Sequence, residues 1–143
     1  MKKIVFILIF AISVFANEVV IKDSVYSVEK TVENIKNILD KKGVSIFAIV
    51  DHKANAQKVS MDMNDAKVII FGNPKMGTKF MQNNIVSALD LPLKILVYKD
   101  DDSKVRVAYR DGDWLKGEHN LSLNKLTDKV SSILNKITDK ATK

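Results

Sequence analysis

The sequence predicts an α+β fold: a strand and a helix, then a four-strand antiparallel-type sheet, and a C-terminal helix packed on it. Three observations carry this. Apolar residues recur at helical spacing near both ends, at Val28, Val32, Ile35 and Leu39 and again at Leu126, Val130, Ile133, Leu134 and Ile137. Between them lie four short apolar runs bounded by turn residues. No βαβ pattern repeats, so helices and strands segregate rather than alternate.

The chain opens with Lys2 and Lys3, an apolar run from Ile4 to Phe15 broken only by Ser13, and Val14-Phe15-Ala16. That is the pattern of a secretory signal peptide, too short for a comfortable membrane span. Cleavage after Ala16 is expected, leaving residues 17–143 as a single periplasmic domain. Val19, Ile21 and Val25, alternating with Val20, Lys22 and Ser24, suggest a first strand. Ser27 can cap the first helix, and Gly43 ends it. Val44 to Val50 is apolar on both faces and is expected as a central strand. Lys53 to Val59 reads as one loose helical turn. Ala66 to Phe71 and Leu93 to Lys99 are the next strands, and Asp100-Asp101-Asp102-Ser103 turns the chain into Lys104 to Arg110. The last helix is expected over about Leu123 to Lys140.

Composition excludes several functions. The 143 residues carry a net charge of +6 and no cysteine. Removing residues 1–16 takes away two lysines and no acid, which leaves +4. Without cysteine there are no disulfides, no thiol nucleophile and no thiolate ligands. The basic excess is spread over surface lysines rather than an arginine-rich stripe with interleaved aromatics, so nucleic acid is not an expected partner.

Gly72-Asn-Pro-Lys-Met-Gly77-Thr78-Lys79 has the spacing of a phosphate-binding loop with its last two letters exchanged. The exchange turns the Lys side chain by about 100° around the helix, and Pro74 removes one N–H from the cradle. What survives is a helix start, with Asn73 as N-cap, Pro74 at the first position and Lys75 near an open, anion-attracting terminus.

Four stretches, "DHKANAQKV" (51–59), "FGNPKMGTKFMQ" (71–82), "DLPLKILVYKD" (90–100) and "VAYRDGDWL" (107–115), resemble the domain of unknown function 302 family. The chain departs from that pattern at Ser60, at Met63-Asn64-Asp65 and at Arg110-Asp111-Gly112. The resemblance implies a compact α+β fold and assigns no activity.

The polar residues of these motifs, Asp51, His52, Asn55, Asn73, Lys75, Gly77, Lys94 and His119, are the candidate ligand-binding set. Grouped around one cleft near the D-H and F-G-N-P turns, they suggest a non-enzymatic protein that binds a small ligand, an anion, or a metal or haem. His52 can ligate a metal or move a proton near neutral pH. No nucleophile elbow, H-E-x-x-H pair or spaced carboxylate pair is present, so no catalytic residue, metal-ligand set or cofactor is named. Met61, Met63, Met76 and Met81 raise Cu(I), which prefers soft ligands, against the ordinary packing role of methionine. Two further readings stand beside the binding protein: a hydrolase-like enzyme using His52 with Asp51, and a homodimeric interaction or assembly module with an exposed apolar edge or patch.

Overall fold

A computed structural model describes residues 19–143; the expected signal peptide lies outside the described residues. Strands β1 (Val20–Ser24), β2 (Ser45–Asp51), β3 (Ala66–Gly72), β4 (Leu93–Lys99) and β5 (Val105–Tyr109) form one antiparallel sheet in the order β1-β5-β4-β3-β2. The helices are α1 (Val28–Lys41), α2 (His52–Lys58), α3 (Pro74–Asn83), α4 (Gly112–Glu118) and α5 (Asn124–Thr142), with a 3-10 turn at Ile85–Leu89. The α+β class is as expected.

Local chemistry sets the helix ends. Ser27 Oγ accepts from the Lys30 amide at 3.2 Å, and Gly43, at φ +62°, takes the left-handed turn that ends α1. Helices α1 and α5 then pack side by side on one sheet face. Val28, Ile35 and Leu39 of α1 and Val130, Leu134 and Ile137 of α5 bury against Ile69, Phe71, Ile95, Val97 and Val107. Each such side chain contributes roughly 1.5–3 kcal/mol on burial.

Two expectations about the strands change. β2 is not central: it pairs with β3 alone and forms a sheet edge. Its two apolar faces reflect a helix-covered side and a side open to solvent, where Phe47 is 53% exposed beside a bulge between Ile46 and Ala48. In β1 the inward face is Val20, Lys22 and Ser24, while Val19, Ile21 and Val25 point to solvent. Lys22 Nζ is satisfied there by Asn135 Oδ1 at 2.6 Å and Asp139 Oδ1 at 2.8 Å.

The face opposite α1 and α5 carries an apolar row between charged residues such as Arg106 and Lys94. The strand register aligns Val50, Val68, Leu96, Ala108 and Ile21 as one row crossing all five strands. Among the described residues no helix is long and apolar enough to cross a membrane.

Candidate functional site

Sheet register decides which candidate residues can meet. Asp51 of β2 lies opposite Lys67, and Ser45 lies opposite Gly72. The D-H turn and the F-G-N-P turn therefore sit at opposite ends of β3, about 20 Å apart for seven residues of strand. The single cleft expected around both turns does not form. Asp51, His52 and Asn55 occupy one end of the sheet; Asn73, Lys75, Gly77, Lys94 and His119 occupy the other. The methionines divide the same way, with Met61 and Met63 exposed before β3 and Met76 and Met81 beyond it.

At the first end, Asp51 is the N-cap of α2. Its Oδ1 accepts from the Ala54 amide at 2.9 Å, and its other oxygen pairs with Lys67 at 3.2 Å. The Ala54 amide, and after it Lys67, hold the carboxyl below the usual carboxylate range. That carboxylate is engaged away from His52, whose ring is exposed at the first position of α2. Asn55 is exposed and accepts a long 3.4 Å bond from Lys58. Among the described residues no group of three or more acidic, histidine or cysteine side chains is placed to hold a metal.

The second end is better built. Asn73 Oδ1 caps α3 by accepting from the Met76 amide at 3.2 Å, and Pro74 takes the first turn, as the spacing predicts. Lys75 is exposed. Behind this cap, between α3, the start of β4 and the bulged edge of β2, opens a cleft of about 340 Å³. Its walls are apolar: Phe47, Met76, Phe80, Met81, Leu91 and Leu93. Gly77 lines it too, and a Cβ built there meets nothing within 4 Å, so the glycine leaves the cleft wall open.

His119 is 5% exposed and belongs to the frame of this end rather than to a surface. Its Nε2 lies 2.9 Å from Asp90 Oδ2, its carbonyl accepts from Asn84 Nδ2 at 2.8 Å, and its ring stands edge-on to Trp114. Arg110 reaches the other oxygen of Asp90 at 3.3 Å and lies over the Trp114 ring. Lys94 Nζ donates to the carbonyls of Asp90 and Pro92, at 3.2 and 3.0 Å, and closes the strand entry.

Asp51, Asn73, Lys94 and His119 thus act as caps and ties, and the cleft beside the Asn73 cap is lined by apolar residues. Phe47, Phe80, Leu91 and Leu93 carry no polar chemistry, so the polar motif residues alone do not point to them. Phe80 lies inside the F-G-N-P stretch and Leu91 and Leu93 inside the D-L-P-L stretch, a signal the sequence carries, whereas Phe47 comes from β2 and only the fold brings it to the cleft.

The sequence pattern of the family described as "Domain of unknown function DUF302" matches residues 20–141. The chain belongs to this family. Both turns described above fall inside the DUF302 region, as does every element of the sheet. The fold of a DUF302 protein from Bacillus stearothermophilus superimposes with a TM-score of 0.77, covering 86% of this chain and 97% of that one, at 17% identity. That likeness shows the fold alone. The "Fluoride-specific ion channel FluC 1" of Brucella suis is 34% identical over 112 residues, 78% of this chain and 44% of that protein. The "Fluoride-specific ion channel FluC 2" of Brucella melitensis matches at the same identity over 42% of its length. The chain spans less than half the length of these curated relatives.

Proposed function

We propose that this DUF302 protein is a non-enzymatic binding protein whose cleft beside the F-G-N-P turn takes a small apolar ligand, such as an acyl chain or an aromatic ring system. The observation that carries this is the cleft itself. Its volume falls in the range of small-molecule sites, its walls are aliphatic, aromatic and thioether, and Gly77 keeps it open. Met76 and Met81 give it walls that adapt to shape. An anion finds less support, because the Asn73 side chain already occupies the start of α3.

The hydrolase reading is weakened because Asp51 is committed to the α2 cap and to Lys67. Fluoride conduction is a property of the named channel proteins, and this reading assigns it to none of the described residues. Export to the periplasm is part of the proposal and rests on residues 1–16; N-terminal sequencing of the protein recovered from cells checks it.

Native mass spectrometry and calorimetry with dodecanoate and with anilinonaphthalene sulfonate test the cleft. Saturable one-to-one binding supports it, and absence of binding to both probes removes it. Assembly with a second copy is a separate reading, favoured by the apolar row Val50, Val68, Leu96, Ala108 and Ile21 on the uncovered sheet face. Five strands at about 4.8 Å spacing make that face roughly 20 Å wide, in the range of a modest interface. Sedimentation of the wild type against Leu96→Lys decides it, since a dimer there dissociates when the row gains a charge.

A further inference from the structure

We propose that the end of the molecule bearing the F-G-N-P turn docks on an anionic lipid surface, with the 3-10 turn Ile85–Leu89 as the inserted element. The turn has its polarity reversed. Ile85, Val86 and Leu89 are 71%, 53% and 79% exposed, while Ser87 is fully buried and its hydroxyl has no partner among the described residues. An ordinary surface turn would place the hydroxyl in water and the aliphatic side chains inside. Three large aliphatic residues clustered on five residues of chain form a contiguous apolar tip.

The tip is rigidly mounted. Asn84, just before it, and Asp90, just after it, both bond to the buried His119. Asn84 Oδ1 also accepts from the Val86 amide at 3.0 Å, and the Asp90 amide donates to the Ser87 carbonyl at 3.1 Å. His119 is therefore a positioning residue that holds both feet of the turn and keeps the aliphatic side chains outward. A turn fixed in that state loses little conformational freedom on insertion.

Charge selects the partner. Between Asp65 and Asp100 the sequence contains a single acidic residue, Asp90, and it is paired with Arg110 and His119. Lys75 and Lys79 are exposed on α3, the helix that leads into the tip, and Lys94 bonds the Asp90 carbonyl at its base. Asp62, Asp65 and the Asp100-Asp101-Asp102 turn lie at the opposite end of the sheet, while Asp111, Asp113 and Glu118 stand at or in α4, which follows β5 on the tip's end. An apolar tip at the end of a helix that exposes two lysines fits an anionic membrane surface, where aliphatic insertion and cation attraction add. The apolar cleft opens beside the tip, between Met81 and Leu91 on either side of it in the chain. An acyl ligand could then pass from the bilayer to the cleft without crossing water. That passage rests on the binding reading; the docking does not.

The chain has no cysteine, so a single Leu89→Cys substitution in the full chain, labelled with an environment-sensitive nitrobenzoxadiazole dye, reports on the tip alone. Lys104→Cys, at the opposite end of the sheet, is the control. With vesicles of equal parts phosphatidylglycerol and phosphatidylcholine, the dye at 89 shifts to the blue and brightens, and the dye at 104 does not. The response weakens with added salt and in pure phosphatidylcholine. Ile85→Ser with Val86→Ser weakens vesicle binding at least about tenfold, and Lys75→Glu with Lys79→Glu weakens it several-fold, roughly as expected for two surface cations. A dye at 89 that stays in water on these vesicles overturns the proposal. So does the same blue shift appearing without lipid as protein concentration rises, which assigns the tip to a second copy. Gly77→Leu closes the cleft and leaves docking intact, so docking and ligand binding fail separately.

Discussion

Filling the cleft from Gly77 should stabilise the protein and abolish ligand binding together. Gly77 lies in the fourth position of α3, and its missing side chain would enter open space. Gly77→Leu removes a helix-interior glycine, which is worth about 0.8 kcal/mol. The new side chain also lies against Phe47, Met81 and Leu91 across the cleft, and partial burial adds about 1 kcal/mol. Unfolding entropy near 2.1 cal/mol/K per residue makes 1 kcal/mol worth about 4 °C for the roughly 125 described residues. The melting temperature should rise by roughly 6–8 °C. The same leucine occupies the volume a ligand needs, and dodecanoate affinity should fall at least about tenfold. Differential scanning calorimetry and titration calorimetry on the same two proteins read both numbers. A lower melting temperature would mean that the Gly77 Cβ direction is not open. Unchanged affinity with a raised melting temperature would mean that the ligand sits elsewhere, and the cleft reading would be lost.

Gly112→Ala should be the opposite case: a Cβ there collides with the Thr127 carbonyl where α4 crosses α5, costing roughly 3 kcal/mol or more and lowering the melting temperature by over about 10 °C. Preserved stability in thermal melts would show that the two helices separate freely. His119→Phe keeps a ring but removes the bond to Asp90, with an expected loss of about 1–3 kcal/mol. Amide exchange of Ser87 and Asp90 should accelerate in that variant, and unchanged exchange would contradict the positioning role. Asp100, held below the usual carboxylate range by Arg106, Asp51, held there by the Ala54 amide, and Asp139, held there by Lys22, set the acid behaviour. Their folded pKa values lie below the unfolded ones, so their contribution is present above about pH 4 and is lost as pH falls through the folded values. Urea midpoints should fall as pH drops below about 4, less steeply in Asp100→Asn; a flat profile in the wild type would contradict the assignment.

Local signals were read well from the sequence. The caps Ser27 and Asn73, the stop at Gly43 and the strand Leu93–Lys99 rest on interactions within a few residues, and each stands as expected. The α2 segment is a full seven-residue helix rather than a loose turn, because Asp51 caps it. Faces were harder. In β1 Ile21 turns outward and Lys22 turns in beside Val20, since Asn135 and Asp139 on α5 offer the lysine partners more than 110 residues away in sequence. For β2, apolar character on both faces suggests a central position, yet the strand is an edge. A face can be apolar because a helix covers it or because a partner does, and the pattern of residues does not distinguish these.

The candidate site shows the same division. The sequence by itself determined which turns carry the motifs, that they start helices, which family the chain joins, and that thiol chemistry is absent. Only the tertiary structure decided which turns share an end of the sheet. That depends on antiparallel register: Asp51 faces Lys67 and Ser45 faces Gly72, so two motifs twenty residues apart are separated by a whole strand. It also decided that His119 and Asp90, 29 residues apart, close on one another and leave three aliphatic side chains in the open. Turns and caps are local free-energy choices that a few neighbouring residues settle. The cleft and the tip are spaces between elements, and they exist only once the strands have chosen their partners.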